Sequence, residues 1–433
     1  MSDILALPRS RADIRRIQSE RKRAALAQAR RSPFQRDRLE GIDERRLDDP
    51  EEWAKIPVLD KDALRALSDA EFYERFCIAP EDGVAEFWRS GGATGKPLFY
   101  PRSHADMRYG LLSFARTFDC IGVGAGERLQ DSFPLGIHPV GHVFARAAQV
   151  RGIGVTWAGA GTTTPSQMQI DLVRRLAPTV WMGMSSYGLH LANLAESLGV
   201  DLAAGSVRHI VCSAEPLSDA KRDKLARSWG ARVWDTFGMT EAGMMGAEDD
   251  TLGGFRVWTD MYYVEVVDPD THRPVAEGEV GALVVTPLWT HHCTPFLRWL
   301  SGDLVTMHEA DDGRGPFSVF PLVKHAHRTT GFFKVRGVNI NHPEFEDFMF
   351  RDAAVNDFKC EILAEGDNDV LRVSIEVKRG AAASAVSADL VKRIKQTFEV
   401  TPEVAVLEPG TLAREFEASV KAPRFADRRG EAR

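Results

Sequence analysis

The stretch from Phe87 to Ser103 reads FWRSGGATGKPLFYPRS. Gly91, Gly92 and Gly95 free the backbone for conformations that a Cβ disfavours. Successive exposed N–H groups in such a turn make a concave anion site. Ser90 and Thr94, with Ala93 between them, add hydroxyls, and Lys96 adds a point charge for a phosphate oxygen. The pattern is not a Walker A motif, which needs a glycine five residues before its Gly-Lys pair and a hydroxyl after the lysine. Here Ser90 stands in place of that glycine, and Pro97 follows the lysine, where it discourages a continuing helix. "EFW" before the loop and "LFY" after it read as strands. On these residues alone, a hairpin turn and a phosphate cradle both stand.

Working outward, residues 1–80 read as mostly helical, and Asp60 is placed to cap a helix starting at Lys61. Ile14 and Ile17, with Ala24, Ala25 and Leu26, predict a surface helix with a narrow apolar stripe. From about residue 81 to 240, strand-like and helix-like segments alternate. "RLQDSF", "GVTWAG", "PTVWMGM", "VRHIVCSA" and "ARVWDTF" read as strands, and "QMQIDLVRRL", "YGLHLANLAESLG" and "SDAKRDKLARSWG" as helices. That alternation is the mark of an α/β fold. Hairpin patterns follow over 255–310, then a compact α+β unit after about 330. The expectation is an α/β chain: a large N-terminal α/β domain with a β-rich subdomain over 1–329, and a small, mobile C-terminal α+β domain over 330–433.

The chain has 433 residues, more than one ordinary core holds. Its apolar content of 44% and charged content of 27% suit a globular protein. A formal net charge of −7 argues against a general nucleic-acid binder. Five cysteines are scattered without metal or disulfide spacing, which suits a reducing cytosol, so a cytoplasmic location is expected. No apolar run approaches a membrane span.

Four further stretches carry chemistry. "CSAEPLS" (212–218) follows a strand and precedes a helix, so it puts Glu215 at a strand's C-terminal end, where open α/β sheets bind ligands. Glu215 as a cap for the next helix is the alternative. "WDTFGMTEAG" (234–243) repeats the strand-then-loop order and sets Asp235, the Phe237 ring, the Thr240 hydroxyl and Glu241 within one turn. Phe237 is equally at home in a core. "LSGDL" (300–304) predicts Asp303 in a tight turn between strands. "EASVKAPRF" (417–425) places Lys421 near the chain end, where it is also one surface lysine among many.

Together and in this order, these segments resemble those of the adenylate-forming enzymes, most closely the phenylacetate–CoA ligase branch. "SGGATGKP" looks like that family's phosphate loop, "SAEPLS" like its Gly-Ala-Glu-Pro segment, and "DTFGMTEAG" like its Asp-x-Tyr-Gly-x-Ser/Thr-Glu motif. "SGDL", "HRTTGFFKVRGVNINHPEFED" and "SVKAPRF" resemble its Asp-Leu segment, its hinge and its Gly-Lys-x-x-Arg ending. The resemblance covers nearly the whole chain. It implies that Ser90 through Lys96 hold the β- and γ-phosphates of ATP, that Thr240 meets the α-phosphate, and that Glu241 holds Mg²⁺. Phe237 would stack on adenine, and Asp303 would take the ribose hydroxyls with Arg328 nearby. The nucleotide would also lie against Ser213, Ala214, Glu215 and Pro216, and against Asp235, Thr236, Gly238 and Met239. Lys421 would reach both the carboxylate and the α-phosphate, and rotation of the small domain would then admit a thiol.

The implied activity is ATP-dependent ligation of a small carboxylic acid to coenzyme A through an acyl-adenylate. A carrier-protein thiol or an amine as acceptor, and an inactive binding relative, are the alternatives. A homodimer is left open. Phe133, His138, His142, Met184 and Tyr187 are the acyl-pocket candidates; one of the two histidines could equally be a satisfied structural group. Small and aromatic residues point to an aryl or short polar acid. The sequence departs from the family pattern at Phe237 (a tyrosine there), at His327 and at Thr330 of the hinge. The segment between Asp303 and Arg328 has no cysteine, so no structural zinc is expected. His308, His325 and His327 read as surface or hinge histidines.

Overall fold

The computed structural model describes residues 4–79, 81–90, 97–309, 313–328, 332–335, 338–365, 368–418 and 424–429. The chain gathers into two compact units. The first comprises Met1–Leu129, Leu135–Val155 and Trp234–Thr329; the second comprises Gln130–Pro134, Thr156–Val233 and Thr330–Arg433.

In the first unit, the N-terminal helix Arg11–Ala29 starts at Ser10, whose hydroxyl accepts from the Asp13 N–H. Of the predicted stripe, Ile14, Ala25 and Leu26 are buried and Ile17 and Ala24 half-buried; Ala29 and Lys22 are buried as well. The Lys22 ammonium donates to the Leu47 carbonyl at 2.7 Å and lies 4.5 Å from the Tyr263 ring centroid, so the charge is solvated by protein. Asp60 does cap the helix Lys61–Arg65. The strands Val84–Arg89 and Phe99–Ser103 pair antiparallel, with Arg89 opposite Phe99. Residues 91–96, which include Gly91, Gly92, Ala93, Thr94 and Lys96, lie outside the described residues.

The hairpin feeds directly into the helix His104–Cys120, held by a capping box between Ser103 and Asp106. An antiparallel sheet carries the rest of the unit. Tyr262–Val267 pairs with Gly281–Pro287, then Trp299–His308, then Leu322–Arg328, then Phe255–Val257, then Gly243–Glu248 and finally Arg232–Met239. Its core includes Trp258, Phe320, Leu283, Val285 and Val323, all fully or almost fully buried.

The second unit holds the parallel strands Val180–Gly183 and His209–Cys212, with the helices Ser166–Leu176, Ser185–Ser197 and Asp219–Trp229. The Ser132 N–H donates to the Met182 carbonyl at 2.8 Å, which sets the end of "RLQDSF" beside this pair. The expected α/β class is what the chain adopts. In the same unit a four-stranded sheet orders Glu403–Leu407, Asn368–Val377, Val355–Glu365 and Phe425–Asp427. The helix His342–Phe350 leads into that sheet and meets the helix Asp219–Trp229 through buried charges. Lys221 pairs with Glu346 at 2.9 Å, and Arg424 pairs with Glu346 at 3.2 Å and with Asp357. The Lys224 ammonium donates to the Val355 and Asn356 carbonyls at 3.0 and 2.5 Å. No helix among the described residues is long and apolar enough to cross a membrane.

Two buried carboxylates of the first unit give measurable expectations. Asp260 makes a bidentate pair with Arg116 at 2.7 and 2.8 Å, both side chains inaccessible to solvent. Asp260→Ala strands the guanidinium, so chemical denaturation should show a loss of about 3–5 kcal/mol, and the apolar double variant Arg116→Met/Asp260→Leu should recover most of it. Asp106 is buried, which works against its charge. Hydrogen bonds from His292, the Arg102 charge and the Ser103 N–H outweigh that and hold its carboxyl at about 2. The stabilisation, about 2 kcal/mol, is present above the ordinary aspartate range and is lost as pH falls from about 4 through about 2. The deficit of Asp106→Asn in unfolding free energy should therefore be full at pH 6 and shrink across that acid window.

Candidate active site

Three of the sequence-selected segments, 87–103, 234–243 and 300–304, lie in the first unit. Ser90 closes the neck of the glycine-rich loop. Its N–H donates to the Leu98 carbonyl at 2.8 Å, and its hydroxyl accepts from the Leu98 N–H at 3.0 Å. The Ser90 side chain is buried, so it braces the loop at its base. Past the loop, Tyr100 and Arg102 stand on one face of the strand Phe99–Ser103, two residues apart.

The "DTFGMTEAG" motif does not form a single turn. Asp235, Thr236, Phe237, Gly238 and Met239 belong to the strand Arg232–Met239, and Thr240 and Glu241 make the hairpin turn into Gly243–Glu248. Gly238 has no room for a Cβ, which would come within 2.7 Å of the Gly243 carbonyl. Asp235 is buried, and its carboxylate accepts the Thr236 N–H at 2.9 Å.

At the turn, the Glu241 carboxylate oxygen Oε1 accepts from the Tyr100 hydroxyl at 3.0 Å and lies 3.3 Å from the Lys61 ammonium. Arg102 donates through Nη2 to the carbonyls of Thr240 and Glu241 at 2.6 and 2.8 Å. The strand that leaves the glycine-rich loop thus holds the Thr240–Glu241 turn at three points. Among the described residues no cluster of three His, Cys, Asp or Glu side chains could cage a metal. A lone carboxylate is what Mg²⁺ needs when substrate phosphates supply its other oxygens, so Glu241 fits that ion.

Phe237 sits in the core of the sheet. Its ring stacks on Phe255 at 5.4 Å and meets the His325 ring edge-on at 4.7 Å. His325 itself is exposed, in line with its reading as a surface or hinge histidine. Asp303 is not in a turn between strands; it lies within the ten-residue strand Trp299–His308. Leu300 and Leu304 face Val284 and Ala282, so three residues, 301 to 303, bulge opposite Leu283. Gly302 takes φ +82° at that point, a conformation that favours glycine. The bulge re-aims Asp303, and on the other edge the backbone of Asp303 faces that of Arg328.

Two acyl-pocket candidates belong to this unit. His142 accepts the Gly136 N–H at 2.9 Å through Nε2, the behaviour of a structural histidine. His138 stands at the start of the helix Pro139–Val150, with its Nε2 3.4 Å from an Arg89 nitrogen.

In the second unit Phe133, Met184 and Tyr187 are all buried. The Tyr187 hydroxyl is 3.1 Å from the Ser166 hydroxyl, which His190 also reaches at 3.0 Å. Ser213, Ala214, Glu215 and Pro216 leave the C-terminal end of His209–Cys212, and Ala214 takes the left-handed φ of +70°. Glu215 caps a helix, though not the one that follows it. Its carboxylate accepts from the Ser185 hydroxyl at 2.8 Å, the Ser186 hydroxyl at 2.8 Å and the Ser186 N–H at 2.5 Å, at the start of Ser185–Ser197. The following helix is capped by Ser218 instead. Burial opposes the Glu215 charge, but Lys221 and the serine donors outweigh it and hold the carboxyl below the usual glutamate range. Lys421 and Thr330 lie outside the described residues, as does the side chain of Arg328.

Sequence reading missed Lys61, Tyr100 and Arg102. Lys61 was read only as the first residue of a capped helix, and nothing in the spacing of the "LFYPRS" strand marks the other two.

A hairpin braced at Ser90, a Thr-Glu hairpin turn and an aspartate bulge, carried by an α/β chain, are the described parts of the site of an adenylate-forming enzyme. The chain belongs to the AMP-binding enzyme family, whose model matches residues 16–288, and the model of the AMP-binding enzyme C-terminal domain matches residues 337–429. It is similar to the phenylacetate-coenzyme A ligase of Thermus thermophilus, 28% identical over 95% of this chain and 96% of that one. The phenylacetate-coenzyme A ligase of Escherichia coli is 26% identical over 83% of this chain and 82% of its own. Among solved structures, 2-hydroxyisobutyryl-CoA ligase in the postadenylation state with 2-HIB-AMP shares the fold at a TM-score of 0.84 and 23% identity, over 96% of this chain and 89% of that one.

The neck of the loop offers a structural test. Ser90→Ala leaves the buried Leu98 N–H without its acceptor, so unfolding free energy should fall by about 1–3 kcal/mol. The loss should be read by denaturant titration in the absence of nucleotide.

Proposed function

We propose that this protein is an ATP-dependent acid–CoA ligase that joins a small carboxylic acid to coenzyme A through an acyl-adenylate. The observation that carries the proposal is the grip of the strand leaving the glycine-rich loop on the Thr240–Glu241 turn. That grip fixes the loop's exit and the Glu241 carboxylate on one frame, which is what a bound triphosphate needs from both. In the first half-reaction a carboxylate oxygen of the acid attacks the α-phosphorus of ATP. The bond to pyrophosphate breaks, and acyl-AMP forms. In the second, the CoA sulfur attacks the acyl carbon, and AMP leaves with the bonding electrons.

Each residue has a task that follows from its chemistry. Ser90 braces a loop whose N–H groups, with Thr94 and Lys96, hold the departing pyrophosphate. Thr240 donates its hydroxyl to the α-phosphate. Glu241 contributes the protein oxygen to Mg²⁺, which when bound neutralises phosphate charge against the incoming carboxylate. Phe237 supplies an aromatic wall for adenine with Phe255 behind it. Asp303, turned by its bulge, accepts from the ribose hydroxyls beside Arg328. Glu215 fixes the strand-end loop that carries Ser213 and Ala214. Lys421 places its ammonium between the two anions that must react.

Residues 1–329 are assigned to the adenylation domain and residues 330–433 to a small domain that carries Lys421 and turns to admit CoA, a hinge closure about a few residues. The acyl group is assigned to Phe133, Met184 and Tyr187. The relatives named for phenylacetate and the neighbour named for 2-hydroxyisobutyrate both favour a compact acid.

A panel of aryl and short hydroxy acids, assayed for pyrophosphate release with and without CoA, tests the reading. Release that depends on the acid and a thioester that depends on CoA are expected; acid-dependent release with no thioester would move the acceptor to another thiol or an amine. Lys421→Ala should lower acid-dependent pyrophosphate exchange by at least about a hundredfold. ATP binding should be retained in this variant. Exchange at the wild-type rate would remove Lys421 from the reaction.

A further inference from the structure

We infer that Tyr100 and Arg102 are positioning residues for the metal–nucleotide complex: by gripping the Thr240–Glu241 turn from the strand that leaves the phosphate loop, they set the binding of the divalent cation. The inference rests on the proposed role of Glu241 as its protein ligand.

Three observations support it. First, the two side chains share the work on one turn. The Tyr100 hydroxyl donates to the Glu241 carboxylate, while Arg102 donates to the main-chain carbonyls of Thr240 and Glu241. The side chain and the backbone of the same residue are therefore fixed independently, which leaves the carboxylate little freedom to rotate. Second, both anchors are themselves held. Tyr100 is fully buried, with its ring 5.4 Å from that of Phe296. Arg102 is buried, lies 4.7 Å over the Trp88 ring and donates to the Thr294 hydroxyl at 3.3 Å. Trp88 is the register partner of Tyr100 across the hairpin, so all three belong to the frame that carries the loop.

Third, the chemistry has one direction. The Glu241 carboxylate only accepts, so the Tyr100 hydroxyl 3.0 Å away is the donor of the pair. A donor on Oε1 orients the carboxylate's other oxygen. Partners that hydrogen-bond a metal-ligating carboxylate commonly change metal affinity or activity 10–100-fold when removed. A fold-holding role alone would not show itself in cation affinity.

The test uses the full-length protein with Mn²⁺ replacing Mg²⁺, ATP present and the acid absent, so that no turnover occurs. Electron paramagnetic resonance of free Mn²⁺ reads binding. Tyr100→Phe keeps every ring contact and removes one hydroxyl; it should bind the Mn²⁺–ATP complex about tenfold more weakly, with an unchanged melting temperature. Arg102→Lys, which replaces a two-carbonyl fork by one ammonium, should do the same and lose some stability as well. In turnover with Mg²⁺, the half-saturating cation concentration should rise in both while the rate at saturating cation changes little. Wild-type Mn²⁺–ATP binding by Tyr100→Phe overturns the inference, and so does a fallen saturating rate with unchanged cation dependence. Glu241→Gln separates the two levels. If it too binds Mn²⁺–ATP as the wild type does, the role of Glu241 falls and the inference with it. If it binds weakly while Tyr100→Phe does not, only the inference falls.

Discussion

A guanidinium without water must find acceptors inside the protein, and Arg102 finds two of them in the carbonyls of Thr240 and Glu241. Those carbonyls belong to a hairpin turn, where the backbone makes few bonds of its own. The same contact therefore satisfies a buried charge and gives an otherwise loose turn a fixed place. The glycine-rich loop begins at Ser90 and its exit strand begins at Phe99. Whatever holds that strand also holds one end of the loop, so the geometry of the first unit's site descends from one desolvated cation and its acceptors.

The second unit solves a similar problem with the opposite charge. Glu215 is a half-buried carboxylate that takes three donors from the start of one helix, and a helix N-terminus favours an anion for the same reason that it needs acceptors. The contact ties the end of one parallel strand to the helix that follows its neighbour. The left-handed Ala214 beside it is what lets the chain double back to make that cap. Elsewhere in the unit, Lys221, Glu346, Arg424 and Asp357 leave no charge in the group without an opposite one at hand. Arg424 stands three residues after Lys421, so its pairing fixes the chain just past the segment that bears that lysine.

Much of this was legible in the sequence because it is written in local terms. Alternation of apolar segments gave the parallel strands and their helices, and Asp60 sits where a cap must sit. The motifs, taken together and in order, carried the resemblance to the adenylate-forming enzymes, and the family models match the chain over 16–288 and 337–429. What escaped has a common cause. Tyr100 and Arg102 act across roughly 140 positions of chain on residues 240 and 241, and a strand that reads FYPRS shows no sign of its distant partners. The Glu215 cap was placed on the wrong helix because sequence shows the next element and hides the adjacent one. Asp303 was read as a turn residue because glycine and aspartate favour turns; the same pair also makes a bulge, and pairing on both edges decides between them.

That bulge has a consequence for how the strand can change over time. Side chains on a strand alternate faces with a strict period of two, so length there is a kind of reading frame. Between Leu300 and Leu304 the strand spends three residues against one on its partner, which keeps Leu304 opposite Ala282. Loss of a single residue in that interval would shift the frame and exchange inside for outside from Val305 onward, on a strand whose Val305 is wholly buried. Loss of two residues would restore the frame but erase the protrusion that presents Asp303. Substitution at Ser301 removes the hydroxyl that accepts the Asp303 N–H at 3.0 Å but leaves the frame intact. The strand is thus open to drift in its letters and closed to drift in its length, and descendants of this chain that keep Asp303 on its protrusion should keep the count of residues around it.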